Sequence, residues 1–238
     1  MCREIKEGAV FVADAHQNEN REHFYDFLLF LEKRGFNQLF LMGDIFDLLV
    51  GEVEYTVRFY EKEIRLLNEL SLKGEIFYLE GNHDFNLSYL FPNIKVFPIS
   101  AQPALFYYGN QKIALSHGDV YTENSYQAYT FIIRNAFLLA LLNGLDNFLN
   151  NFISKTILKN QERKRDICDK VKNLRRKIEK RIVNYEKFSP FLVLEGHYHQ
   201  GEGLDFGNIK YFNFDSFGCG RNYYVLDNGK FVSKKFEK

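Results

Sequence analysis

The chain has 238 residues, 46% hydrophobic and 26% charged, with 31 Lys+Arg balanced by 31 Asp+Glu. At roughly 150 residues per domain, this is one large domain or a domain with an insertion, long enough to bury a full core. The composition excludes disordered, collagen-like and coiled-coil classes, and zero net charge argues against a nucleic-acid binder that is basic all over.

Ala9 to Ala13 reads as a buried strand. Glu22 to Arg34 follows with Phe24, Phe27, Leu28 and Leu31 at helical spacing, and Gly35 is placed to cap it. Gln38 to Met42 is a second strand, Val57 to Leu72 a second helix, and Ile76 to Leu79 a third strand. This alternation predicts an α/β sheet with crossover helices. Ile94–Phe97, Ala104–Tyr108 and Lys112–Leu115 are short strands, and Tyr107-Tyr108-Gly109-Asn110 supplies a turn. Residues 121–187 hold no proline and read as helical throughout. Phe191–Leu194, Ile209–Phe214, Tyr223–Leu226 and Lys230–Phe236 are strands, the last two joined by Asp227-Asn228-Gly229. The predicted body is a mixed two-sheet system flanked by helices (1–120 and 188–238), with 121–187 as a helical insertion or lid.

Charge is uneven along the chain. Residues 154–187 carry 13 Lys+Arg against 5 Asp+Glu, so a basic module sits on an acidic body. It includes Arg163, Lys164, Arg165, Arg175 and Arg176. A solvated helical face and a cationic surface for anionic lipids or phosphorylated ligands both fit this run. Upstream, Phe131, Ile132, Phe137, Leu138, Leu141, Leu142, Leu145 and Phe148 occupy several faces of the helical wheel. That pattern leaves apolar area for a ligand or a membrane surface. No segment has the ~20 apolar residues of a membrane span, and the N-terminus lacks signal-peptide character. Cys2, Cys168 and Cys219 are too few and too scattered for a disulfide framework or a CxxC zinc site, so a reducing compartment is expected.

Each body strand runs into residues of metal-ligand type. These are Asp14-Ala15-His16, Gly43-Asp44-Ile45-Phe46-Asp47, Gly81-Asn82-His83-Asp84, Ser116-His117-Gly118-Asp119 and Gly196-His197-Tyr198-His199. In extended backbone, residues two apart point the same way, so Asp14 with His16, and His197 with His199, can each face one ion. Five of the six histidines lie at such ends, and His23 alone falls on a helix. Carboxylates, imidazoles and one amide suit Mn, with Fe and Zn as alternatives. Seven ligands exceed one such ion, and two ions sharing a carboxylate account for them.

The ordered set DxH, GDxxD, GNHD, HGD, GHxH resembles the calcineurin-like metallophosphoesterases. The resemblance implies a four-layer sandwich of two mixed sheets between helices. It implies that Asp14, His16, Asp44 and His199 hold one metal, and that Asp44, Asn82, His117 and His197 hold the other. It further implies that His83, oriented by Asp84, acts on the phosphate or leaving group, and that a metal-bound hydroxide attacks phosphorus. Within that superfamily, GDIFDLLVG and HGDVYTENSYQAYTFIIRN resemble stretches of the UDP-2,3-diacylglucosamine diphosphatases of lipid A synthesis. That likeness implies a lipid-linked nucleotide substrate, with Tyr126 and Arg134 as substrate contacts. It also implies a peripheral position on the cytoplasmic face of the inner membrane, against anionic lipid. No nucleic-acid partner is expected, and oligomeric state stays open. The chain departs from that family's pattern at GNHDF, where arginine usually stands in place of His83, and at GHYHQ, where GHTHR is usual. The lid's usual serine and lysine motif has no match here. Alternatives are another phosphoesterase of the superfamily, acting on nucleotides, nucleic acid or a phosphoprotein, and a non-catalytic scaffold.

Overall fold

The computed structural model describes residues 3–122, 124–162 and 168–237. Arg163, Lys164 and Arg165 of the basic run lie outside the described residues. Strands β1 (Val10–Val12), β2 (Gln38–Leu41), β4 (Glu75–Leu79) and β6 (Lys95–Phe97) pair in parallel. The antiparallel β12 (Asn222–Asp227) and β13 (Lys230–Lys235) extend them to six, in the order β13-β12-β1-β2-β4-β6. A second sheet runs β10 (Glu202–Phe206), β11 (Ile209–Asn213), β9 (Leu192–Glu195), β8 (Gln111–Ser116), β7 (Ala104–Tyr108). In it β11, β9 and β8 are parallel, and β7 and β8 form the hairpin expected at Gly109-Asn110. Two-residue strands β3 (Leu49–Val50) and β5 (Asp84–Phe85) make a separate parallel ladder.

The inner strands β1, β2 and β9 are buried or nearly so on both faces, which is why they are continuous apolar runs rather than alternating ones, whereas the edge strands β10 and β13 are largely exposed. Phe11, Phe40, Met42, Leu79, Phe106, Leu115 and Leu194 fill the space between the sheets. Val10, Val12, Leu39 and Leu41 point the other way, onto helices α1 (His23–Arg34) and α3 (Glu61–Leu70). Gly35, at φ 79°, ends α1 as expected and donates its N–H to the Leu31 carbonyl. The predicted 57–72 helix is two: α2 (Glu54–Phe59) and α3. The backbone leaves helical geometry at Tyr60, whose buried hydroxyl donates to the Gln17 carbonyl at 2.9 Å.

Between β8 and β9 the chain forms α4 (Asn124–Ile133), α5 (Ala136–Phe148), α6 (Phe152–Glu162), α7 (Leu174–Ile182) and a 3-10 turn (Val183–Phe188). The stretch is not helical throughout. Asn135 breaks it and caps α5, accepting from the Leu138 N–H at 3.0 Å, and Asn150 and Asn151 turn the chain at positive φ. The basic α7 is a structural layer. Its Leu174, Ile178 and Ile182 pack on Val193, Ile209 and Tyr211 of the second sheet, while Arg175 and Arg176 are exposed. The result is a mixed α/β sandwich with helices outside both sheets. One expectation is corrected: Cys168 and Cys219 form a disulfide, with Cα atoms 5.6 Å apart. The separation of 51 residues hid this pair, because the chain leaving the insertion passes the short helix α8 (Phe217–Gly220).

Candidate active site

Parallel strands send their C-terminal ends to one edge, and loops leaving those ends converge there. Asp14 and His16 leave β1, Asp44 leaves β2, Asn82 and His83 leave β4, His117 leaves β8, and His197 and His199 leave β9. Reaching one point requires unusual backbone. Asp14, His16, Asp44, His197 and His199 all have φ between 46° and 65°. Left-handed backbone costs a non-glycine residue about 1–2 kcal/mol, and Asp and His tolerate it better than most. Five such residues at one spot mark a site whose geometry the surrounding fold imposes. Close approach needs glycine at Gly43, where a Cβ would overlap the His117 ring, and at Gly81, where it would overlap the Asp44 carboxylate.

Two ligand groups result. Donor atoms of Asp14, His16 and His199 lie within 4.8 Å of one another, as do those of Asp44, His117 and His197. His199 Nε2 is 3.1 Å from Asp14 Oδ1, and His117 Nε2 is 3.4 Å from Asp44 Oδ2 and 3.3 Å from Asn82 Oδ1. The His16 ring lies 5.1 Å from that of His83 and 5.5 Å from that of His199. Burial works to raise the pKa of Asp44, but the His117 and His83 imidazoles overrule it and hold the carboxyl well below its usual value. Burial, with His117 adding to it, pushes His197 down to about 3, into the neutral form that binds metals.

Two of the ligand imidazoles, His117 and His16, are each aimed by a partner on the far side. His117 Nδ1–H donates to the Met42 carbonyl at 2.9 Å, leaving Nε2 toward the site. His16 Nδ1–H donates to Asp47 at 3.1 Å, and Asp47 also accepts from Asn18 and, at 2.8 and 3.0 Å, from Arg21. That leaves His16 Nε2 buried with no hydrogen-bond partner among the described residues. A buried orphan nitrogen among carboxylates is costly unless a cation takes it, and oxygen and nitrogen donors of this kind fit a divalent transition ion. Asp47 received no role from the sequence, although the second aspartate of GDIFD was the available signal.

His83 lines the same cavity, of about 220 Å³. It is not oriented by Asp84: its Nδ1–H donates to the Asp47 carbonyl at 2.7 Å. Asp84 is turned inward and accepts from the backbone N–H groups of Asp44, Ile45 and Gly81 and from the Tyr78 hydroxyl, at 2.6–3.0 Å. Burial, then the Asp44 charge, raises its carboxyl to about 7. Its part is to pin the Asp44 loop to the Asn82 loop. Arg134 on the insertion is 8% exposed at its side chain and donates to the Gly81 carbonyl at 2.7 Å and to Glu80 at 3.4 Å. It thus fastens the lid to the ligand loop. Tyr126 is half-buried, and burial, with Asp119 and Asp44 adding to it, raises its phenol pKa.

Residues 9–208 match the family model described as calcineurin-like phosphoesterase. Curated relatives include a UDP-2,3-diacylglucosamine hydrolase from Psychromonas ingrahamii, 27% identical over 64% of this chain and 69% of its own length. Another of the same name, from Histophilus somni, is 25% identical over 80% of this chain and 83% of its own length. Among solved structures, a phosphoesterase from E. coli aligns at 15% identity over 96% of this chain and 99% of its own, with a TM-score of 0.46. The site and the match together define a metal-dependent hydrolase of phosphate esters. The chain belongs to the calcineurin-like phosphoesterase family.

Proposed function

We propose that the protein hydrolyses the diphosphate of UDP-2,3-diacylglucosamine, adding water across the P–O–P bridge to give UMP and 2,3-diacylglucosamine 1-phosphate. The observation that carries this reading is an open apolar surface beside a built phosphoesterase centre. Phe131, Phe137 and Phe148 of the insertion are 78–83% exposed, and Ile132, Leu141 and Leu145 stand out beside them. The names of the relatives supply the substrate. The cavity at the ligand groups, at about 220 Å³, is smaller than the ~300–1,000 Å³ that drug-sized ligands fill. It has room for the reacting phosphate, while acyl chains have apolar surface on the insertion.

Asp14, His16 and His199 would hold one divalent ion, and Asp44, His117, His197 and Asn82 a second, with Mn²⁺ the proposed occupant. Such ions supply Lewis acidity to phosphoryl oxygens and acidify bound water. The chain's own residues do the rest. His83 spends Nδ1–H on the Asp47 carbonyl, so Nε2 is the atom that meets a phosphoryl or leaving-group oxygen, and in the imidazolium form it gives its Nε2 proton to that oxygen and returns to the neutral ring. Asp84 holds the two loops in register, and Arg134 closes the insertion onto them.

Under the same reading, the exposed apolar face rests on the anionic cytoplasmic leaflet of the inner membrane. No single described helix is long and apolar enough to cross a bilayer, and the apolar pair Ser125–Ile133 and Ala136–Phe148 is bent by 60°. A surface position suits such a pair. Incubating the protein with UDP-2,3-diacylglucosamine and Mn²⁺ tests the reading. UMP release is expected, and hydrolysis of simple phosphate esters without UMP release would contradict it.

A further inference from the structure

Tyr198 stands between the candidate ligands His197 and His199 and lines the cavity they face. Its ring is held in place from the insertion. Arg181 donates to the Tyr198 hydroxyl at 2.9 Å, and the guanidinium carbon lies 5.4 Å from the ring centroid. Lys177 on the same helix places Nζ 5.7 Å from that centroid. Arg181 is anchored in turn, since it donates to Glu195 at 3.0 Å, and Glu195 also accepts from the Tyr185 and Tyr211 hydroxyls. Glu195, Tyr185 and Tyr211 are all buried. Two cationic side chains, one of them anchored through three buried groups, therefore fix the orientation of one half-buried aromatic ring that lines the cavity. That effort is more than packing requires for a residue between two metal ligands.

Gln161, Asp169 and Val171 of the insertion line the same cavity. The Gln161 carboxamide oxygen is buried and has no hydrogen-bond partner among the described residues. A fixed aromatic ring and an acceptor without a partner, lining one cavity, are complementary to a flat heterocycle carrying a ring N–H. Resting on the reading of the substrate as a nucleoside diphosphate, we propose that Tyr198 stacks on the nucleobase and that Gln161 accepts its ring N–H. Tyr198 is then a specificity-determining residue, and α7, through Arg181, is the element that presents it.

The test compares competitive inhibition by UMP with inhibition by ribose 5-phosphate, which keeps the sugar phosphate and lacks the base. Base–aromatic stacking lost to alanine weakens binding by about 5- to 150-fold. Tyr198→Ala is expected to weaken UMP within that range and to leave ribose 5-phosphate unchanged. Tyr198→Phe and Tyr198→Trp, which keep a π face, are expected to hold UMP within about threefold of the parent. Gln161→Leu is expected to weaken UMP and spare ribose 5-phosphate. Equal weakening of both inhibitors by Tyr198→Ala, or no change in either, overturns the proposal. So does a parent enzyme that binds UMP no better than ribose 5-phosphate. Absence of UMP release from UDP-2,3-diacylglucosamine, together with base-selective loss in Tyr198→Ala, would instead refute the lipid substrate and leave the stacking contact standing.

Discussion

His16 donates its Nδ1–H to the Asp47 carboxylate across 3.1 Å, with both side chains buried. This bond fixes the tautomer that turns Nε2 into the site. Removing such an outer partner typically costs about 10- to 100-fold in metal affinity or activity. Asp47→Ala is expected to weaken Mn²⁺ activation in that range, read as the Mn²⁺ concentration giving half-maximal hydrolysis. A variant activated like the parent would show that Asp47 serves only Arg21 and Asn18.

Gly81 is required by the closeness of Asp44. A methyl there would overlap the Asp44 carboxylate and backbone nitrogen, and overpacking of this kind costs about 1–3 kcal/mol. Gly81→Ala is expected to lower hydrolysis at least about tenfold, since relief must come from moving a ligand. The far-UV circular dichroism spectrum should be unchanged. Full activity in Gly81→Ala would mean that Asp44 is free to shift.

Glu63 gives a pH test of stability away from the ligands. It is 1% exposed, its Oε2 has no hydrogen-bond partner among the described residues, and burial raises its carboxyl above the ordinary 4.5. The folded chain therefore keeps this proton after the unfolded chain has released it. Stability consequently falls as pH rises from the unfolded value to the folded one. Glu63→Gln does not titrate and keeps the shape. Its urea midpoint is expected to match the parent's near pH 4 and to exceed it at pH 7. A parent that gains on the variant with rising pH would contradict this.

The insertion's exposed face separates lipid from chemistry. Phe137 and Leu141 are 83% and 64% exposed, so their exchange for glutamate leaves the core intact. The account expects Phe137→Glu with Leu141→Glu to lose about tenfold or more on the diacylated substrate, and to leave hydrolysis of a soluble ester within about twofold. Equal losses on both substrates would remove the acyl role of this face.

The body was readable because its inner strands, such as β1 and β2, are buried on both sides and so form apolar runs, and because ligand types recur at strand ends. What escaped was set by contacts rather than by local pattern. β3 and β5 are two residues each, too short for any period, and exist because Leu49 and Val50 pair across to Asp84 and Phe85. β10 carries Glu202, Gly203 and Asp205, which do not read as a strand, and forms by pairing with β11. The helix break at Tyr60 coincides with its hydroxyl reaching the Gln17 carbonyl, a contact distant in sequence. The inward turn of Asp84 depends on four donors from two segments of chain, Asp44-Ile45 and Tyr78 to Gly81. Each of these is a tertiary decision overriding local preference.

The most direct measurement is the anomalous scattering of Mn²⁺ from crystals soaked in the ion. Two peaks per chain are expected, one among Asp14, His16 and His199 and the other among Asp44, His117 and His197, each within about 2.5 Å of its donor atoms. A single peak, or none with these side chains turned apart, would contradict it.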